Sequence, residues 1–531
     1  MSLTSCGVID LMTRFMRLAS VVLFLIATAA YGEELLSARI DRLILEKSAG
    51  QTPAERCDDF TFARRVYLDF AGRIPSPEEA ARFQADAATD KRAKLVDTLL
   101  ASPEYARRMA ESFHVSLMER RGDEPDWQKY LSDSFAANKP WDVLVREVLK
   151  PNSDDEATRA SAFFLTKRLE AYGQNPVDYP GLVRDVGRLF FGRDLQCAQC
   201  HDHLFIDDYK QVDFQGLYAF FHNLSIRGDV KFPALKEKPL EKKVEFVSVF
   251  EGIPHATGPR VPGGVEIAWP PSEADATAKR LGILAAELSV GGDSYFGRNA
   301  ANRIWFSLMG RGVVHPLDQH HSGNPPSHPE LLTLLAGEFA AHKYDLKWLL
   351  RELAMTETYQ RSSIVPDETN ALEVNIFLVA LERRLSAEQL ALSVLQATGP
   401  RAALAEPADE VSVARFKETR DAFVAAFANP AREPEEEFVA SVKASLYLLN
   451  DEKFLTLLMP QPGNLVERAT QMSDVSAKCD ELYLSVLSRL PTEEERADAS
   501  VWLKANESTP EIGVRHLAWA LLSSTEFLVN H

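Results

Sequence analysis

A chain of 531 residues with a net charge of −18 is too long for one ordinary hydrophobic core. It is also too acidic to be drawn to phosphate backbones, which excludes nucleic acid as an expected partner. Hydrophobic residues make up 46% and charged residues 26%, the balance of a folded protein and not of a disordered one.

The first 32 residues read as an export signal. Arg14 and Arg17 supply a basic start, Leu18 to Ala30 is an apolar run broken only by Ser20 and Thr28, and Ala30-Tyr31-Gly32 offers small residues for cleavage. That run is shorter than a bilayer span requires. A cleaved leader leaves no stable membrane span; an uncleaved anchor is the alternative. The expected location is exported: periplasmic, at the cell surface or secreted, with protein partners there.

Residues 33–225 are expected to form a helical domain. Leu36, Ile40, Leu43 and Ile44 have the spacing of one buried helical stripe. Ser76-Pro77-Glu78-Glu79 predicts a helix start, with Ser76 accepting from exposed backbone N–H groups and Glu79 closing a capping box. Ser102-Pro103-Glu104 predicts another.

The chemically loaded stretch is Cys197-Ala198-Gln199-Cys200-His201-Asp202-His203. Two thiols three residues apart, followed at once by histidine, form the attachment pattern of c-type haem. Cys197 and Cys200 would carry the covalent haem c and His201 would be the proximal ligand, oriented through its other ring nitrogen. Two alternatives stay open: a zinc site using Cys197, Cys200 and His201 or His203, and a Cys197–Cys200 disulfide. For a sixth iron ligand, His203 lies too close in sequence to His201 to reach the opposite face, leaving His222, His114 and Met118 as candidates. Of the five cysteines, Cys6 would leave with the leader. The rest are too few for a disulfide scaffold, although a Cys57–Cys479 bridge is conceivable.

Residues 226–275 change character. Pro233, Pro239, Pro254, Pro259, Pro262, Gly263, Gly264, Pro270 and Pro271 forbid a long helix, and Val244 to Phe250 predicts a short β excursion. Residues 276–531 should form a second helical domain. In it, His315, Asp318, His320, His321 and His328 cluster within one Pro-rich loop. Such a loop can bind a metal or supply acid–base groups, but polar side chains also hold turns with no ligand at all, and the structural reading is the expected one. Ser327 is expected at an N-cap with Glu330 three residues on, and Ser386 with Gln389 repeats the device. Residues 400–436 look like a mobile, partly helical connection.

The two ends of the chain resemble each other. Val66-Tyr67-Leu68, Arg73-Ile74-Pro75 and Glu78-Glu79 match Leu482-Tyr483-Leu484, Arg489-Leu490-Pro491 and Glu494-Glu495 at constant spacing, and Leu99 to Tyr105 matches Leu521 to Phe527. Copies so far apart do not make a solenoid; they predict paired packing modules. The fold class is therefore mainly α, multi-domain and helical, with a small β or irregular excursion near 225–275.

These motifs carry a resemblance. Residues 34–224 resemble the planctomycete secreted cytochrome-like domain through Ala38-Arg39-Ile40-Asp41, Arg65 to Asp69, Gly72-Arg73-Ile74-Pro75 and Gln196 to His203. From about residue 280 onward the chain is similar to the domain of unknown function that usually follows it, through Asn302 to Trp305, Gly310-Arg311-Gly312, Asn324 to Leu331 and Arg384 to Gln389. Leu204 stands where members commonly have proline, and His320-His321 where a less basic pair is usual. The resemblance implies a cytochrome-like domain but no established activity. The leading expectation is an exported redox or electron-transfer protein holding haem c. The alternatives are a non-catalytic helical interaction scaffold with a zinc site or disulfide, and a metal-assisted hydrolase using the His315–His328 loop. The chain shows no phosphate-cradling glycine loop, no Gly-x-Ser-x-Gly elbow and no His-Glu-x-x-His helix.

Overall fold

The structure, a computed structural model, describes residues 34–238, 240, 242–267, 280–288, 294–365, 373–400, 410–435 and 442–531. The expected leader, residues 268–275 of the junction and part of the 400–436 connection lie outside the described residues. Among the described residues no helix is long and apolar enough to cross a membrane.

The protein is mainly α, with three small antiparallel strand pairs among the described residues. Many helices start where side chains can satisfy exposed backbone donors. Ser76 and Glu79 close the expected capping box on Pro77–Ala85, Ser102 caps Pro103–Met118, and Ser386 with Gln389 closes a box on Ala387–Thr398. One cap differs from expectation: the Pro329–Ala341 helix has His328, not Ser327, at its N-cap and no side-chain cap bond. Ser327 is already committed, since its backbone N–H and its hydroxyl both donate to the Val313 carbonyl. The β excursion is present as Val244–Val247 paired with Pro254–Thr257, with Val244 opposite Thr257.

Two hydrophobic cores organise these elements. The first runs from Leu36 to Leu378 and joins helices of both halves, with Trp127, Phe164, Trp305 and Leu349 all buried. The second is built mostly from residues 385–527 but also takes in Leu68 and Ile74. The two end modules therefore touch. Fully buried Arg64 reaches across to donate to the carbonyls of Glu526, Phe527 and Val529.

The internal repeat is reproduced in three dimensions. Arg73 binds Glu79 and Glu104 at 2.7 Å each, and its guanidinium lies 5.1 Å from the Tyr67 ring. Arg489 binds Glu495 at 2.7 Å and Glu526 at 2.6 Å, over Tyr483 at 5.7 Å. Each arginine ties a capped helix start to the start of a later helix (Ser102 and Ser524 are the matching caps). Cys57 and Cys479 are both buried free thiols, one in each core.

Candidate functional site: a Cys/His turn joined to a histidine loop

The site begins where the Tyr179–Phe191 helix ends. Gly192 closes that helix at φ +65°, in the left-handed region that a residue with a Cβ enters at a cost. A Cβ there would lie 2.6 Å from Cδ2 of His320 and 2.8 Å from Oδ1 of Asn299, so only glycine lets the second half approach this closely. The next residue, Arg193, is buried between the rings of Tyr209 and Tyr295, at 4.6 and 4.5 Å. Leu195 and Ala198 are fully buried and pin the turn from inside.

Cys197–Gln199 forms a single 3₁₀ turn, with the Cys200 N–H donating to the Cys197 carbonyl at 3.3 Å. Because Ala198 points into the core, the flanking thiols of Cys197 and Cys200 face outward; both are free and exposed. Side chains lock the turn from outside the motif: Arg184 donates to Oε1 of Gln199 at 2.6 Å, and Gln215 to the Gln199 carbonyl at 3.1 Å. Asp202 accepts from the Gln211 N–H at 2.8 Å, at the start of the Gln211–Phe221 helix.

The two histidines of the motif are held as opposite tautomers. Nδ1 of His201 lies 2.6 Å from the Asp202 carbonyl, which can only accept, so Nδ1 carries a proton and the lone pair of the neutral ring falls on Nε2. Nδ1 of His203 instead accepts from the backbone N–H groups of Ile206 and Phe205, at 3.1 and 3.2 Å. Its proton sits on Nε2, the form that does not ligate through that atom. The His201 ring is backed by Phe250 at 4.7 Å from the β excursion.

The histidine loop of the second half packs directly onto this turn. The Asp194 N–H donates to the Asp318 carbonyl at 2.8 Å and the His320 N–H to the Gly192 carbonyl at 2.9 Å, with Arg193 and Gln319 bridged antiparallel between them. Asp208 accepts from the Ser322 backbone and, at 2.6 Å, from its hydroxyl. The His321 ring meets the Tyr209 ring edge at 5.0 Å. Two clusters far apart in sequence thus form one interface.

Within the loop the histidines diverge. His320 is buried at 4% exposure, and burial, then the nearby Arg303, Arg298 and Arg193 charges, push its imidazole down to about 3. His328 is buried beside Phe377 and Ser327, and burial pushes it down to about 4. His315 faces the Phe306 ring, and Asp318 uses its carbonyl on Asp194. Among the described residues no group of three or more His, Cys, Asp or Glu side chains is arranged to hold a metal ion.

The candidate sixth ligands make their contacts away from the Cys/His turn. His114 accepts from Trp127 Nε1 at 3.1 Å and lies 2.9 Å from Asp123, using both ring nitrogens inside the first core. The Met118 sulfur is buried against Arg168, and Nδ1 of His222 bonds the Tyr218 hydroxyl at 2.9 Å. Sequence reasoning missed Arg193, Asp208, Tyr209, Asn299 and Phe250. The only available signal was proximity in sequence, since Arg193, Asp208 and Tyr209 lie a few residues outside the motif.

Fold and site define a mainly helical, two-part protein in which a Cys-x-x-Cys-His turn from the first part is clamped by a loop of the second. The family model described as protein of unknown function (DUF1549), PSCyt2, matches residues 39–225, and that described as protein of unknown function (DUF1553), PSD1, matches residues 280–503. The chain belongs to the proteins that carry these two domains in tandem. No curated protein and no solved structure matches it.

Proposed function

We propose that the protein is an exported redox protein that carries haem c on Cys197 and Cys200, with His201 as proximal ligand. The observation that carries this reading is the tautomer pair. His201, immediately after the second cysteine, has Nδ1 anchored on a carbonyl, which leaves Nε2 as the lone-pair nitrogen of the neutral ring, as an iron-binding imidazole requires. His203, which a four-ligand zinc site would recruit, has Nδ1 turned to two backbone donors. The donor set suits thioether attachment, with two free, outward-facing thiols on one rigid turn.

When bound, the group supplies one-electron transfer. The chain's own contribution is placement. Ala198, Arg184 and Gln215 fix the turn, the Asp202 carbonyl orients His201, and Phe250 shields one side of its ring. Leu204, Phe205, Val249 and Phe250 leave apolar surface exposed beside the thiols, which suits packing against a porphyrin edge and docking of a protein partner outside the cytoplasm.

The test is expression of the full chain in a host with a working haem-ligation system, followed by spectroscopy and intact mass. A Soret band that survives acid-acetone extraction and disappears in Cys197→Ala and Cys200→Ala is the expected result. A colourless product with both thiols unmodified overturns the proposal, and one zinc equivalent per chain in that product moves the assignment to the scaffold reading.

A further inference from the structure

Away from the Cys/His turn, a cavity of about 460 Å³ lies between the two matched domains. Its walls are the Pro103–Met118 and Tyr179–Phe191 helices of the first half, the Tyr295–Met309 helix of the second, and the segment 382–389. Its size falls in the range of small-molecule sites. Much of the wall is apolar, including Phe113, Ile304, Leu350 and Phe427.

Most charges on this wall already have partners. Arg383 is paired with Asp69 at 2.7 Å, Arg188 with Glu119, and Glu388 with Arg120 at 2.9 Å. Arg303 bonds Oδ1 of Asn299 and the Arg188 carbonyl, both at 3.2 Å. Two groups stand out. Among the described residues, Glu111, only 8% exposed, has no hydrogen-bond partner for Oε2, and Arg108, one turn away on the same helix, has none for Nε. Among the described residues neither joins an ion pair, although an Arg and a Glu at this spacing can reach each other. Burial pushes the Glu111 carboxyl up and the Arg108 guanidinium down, each towards neutrality. Buried polar atoms left without partners cost roughly 1–3 kcal/mol each, and a fold keeps such groups where something else completes them.

We propose that this cavity binds a small zwitterion, a free amino acid or dipeptide with an apolar side chain, its carboxylate at Arg108 and its ammonium at Glu111. One unpaired cation and one unpaired anion, a helical turn apart, match a ligand that carries both charges and no net charge. A simple anion would satisfy Arg108 and leave Glu111 worse off. A neutral sugar would bring neither group an ion-pair partner. The apolar wall then receives the side chain. This site has no thiol or imidazole in its lining and does not rest on the redox reading.

The test uses the full chain and titrates L-phenylalanine and L-leucyl-L-phenylalanine by calorimetry and thermal shift, with N-acetyl-L-phenylalanine amide and cellobiose as uncharged controls. At least one zwitterion should bind saturably, the capped amide at least tenfold more weakly, and Glu111→Gln and Arg108→Met should each weaken binding at least tenfold. Because each variant removes an unpartnered buried charge, its ligand-free melting temperature should equal or exceed that of the wild type. Failure of both zwitterions to bind, equal binding by either control, or wild-type affinity in the variants overturns the proposal. A lowered ligand-free melting temperature in both variants overturns its premise that the two groups lack partners.

Discussion

Replacing His320 should change how the protein responds to acid, by an amount the structure sets. His320 is buried in the interface beside Gly192, and burial together with Arg303, Arg298 and Arg193 holds its imidazole down at about 3. In the unfolded chain the same group titrates near 6.5. Above pH ~6.5 both states are neutral there and the contribution to stability is complete. As pH falls from about 6.5 towards 3, the unfolded state takes a proton that the folded state refuses, so stability is lost at about 1.4 kcal/mol per pH unit. Over the full window this approaches roughly 5 kcal/mol, a large part of a domain's total stability. The assay is chemical denaturation between pH 7 and pH 4, read through the fluorescence of tryptophans such as buried Trp305. His320→Gln fills similar space without titrating, and His328 and His531, both pushed down to about 4, contribute equally to both proteins. The wild-type curve should therefore be steeper than the variant's by about 1.4 kcal/mol per unit. Parallel curves would refute the reasoning, because they would mean that His320 gains a proton in the folded protein as easily as in the unfolded one.

Gly192→Ala should destabilise by roughly 2–5 kcal/mol, combining the left-handed backbone cost with overpacking against His320 and Asn299; a change below ~1 kcal/mol in the denaturation midpoint energy would show that the interface relaxes around a Cβ. Arg64→Ala strips the carbonyls of Glu526, Phe527 and Val529 of a shared donor and should cost roughly 3 kcal/mol or more, with earlier proteolysis of the C-terminal module as the local readout. The two repeat arginines make an internal comparison. Arg73→Ala should cost more than Arg489→Ala, because the Arg73 side chain is 8% exposed and the Arg489 side chain 25%, so the carboxylates left behind are harder to solvate. Equal losses in thermal unfolding would argue against burial as the deciding factor.

Local order in this protein was readable because local causes produce it. The capping boxes at Ser76 and Ser386 and the cap at Ser102 depend on residues three apart, and all three form. The repeat was visible as spacing, and the matched Arg73 and Arg489 networks show that the spacing preserved a geometry. Ser327 shows the limit: its pattern was that of a cap, but a carbonyl distant in sequence, that of Val313, claimed both its donors. The Cys/His stretch announced its donor atoms but not their protonation. Which nitrogen of His201 or His203 is free depends on whether a carbonyl or an N–H faces Nδ1, and residue identity does not encode that.

The order of residues by itself determined the helical class, the helix starts, the repeated end modules and the one turn that offers two thiols and an imidazole side by side. Only the tertiary structure decided that the histidine loop clamps that turn, that the cores draw on both halves, and that Arg108 and Glu111 face a shared cavity with no ion-pair partner among the described residues. The reason is range. Caps, spacing and motif chemistry act within a few residues, whereas the clamp on the turn, the shared core and the cavity depend on groups that the fold brings together from more than a hundred residues away.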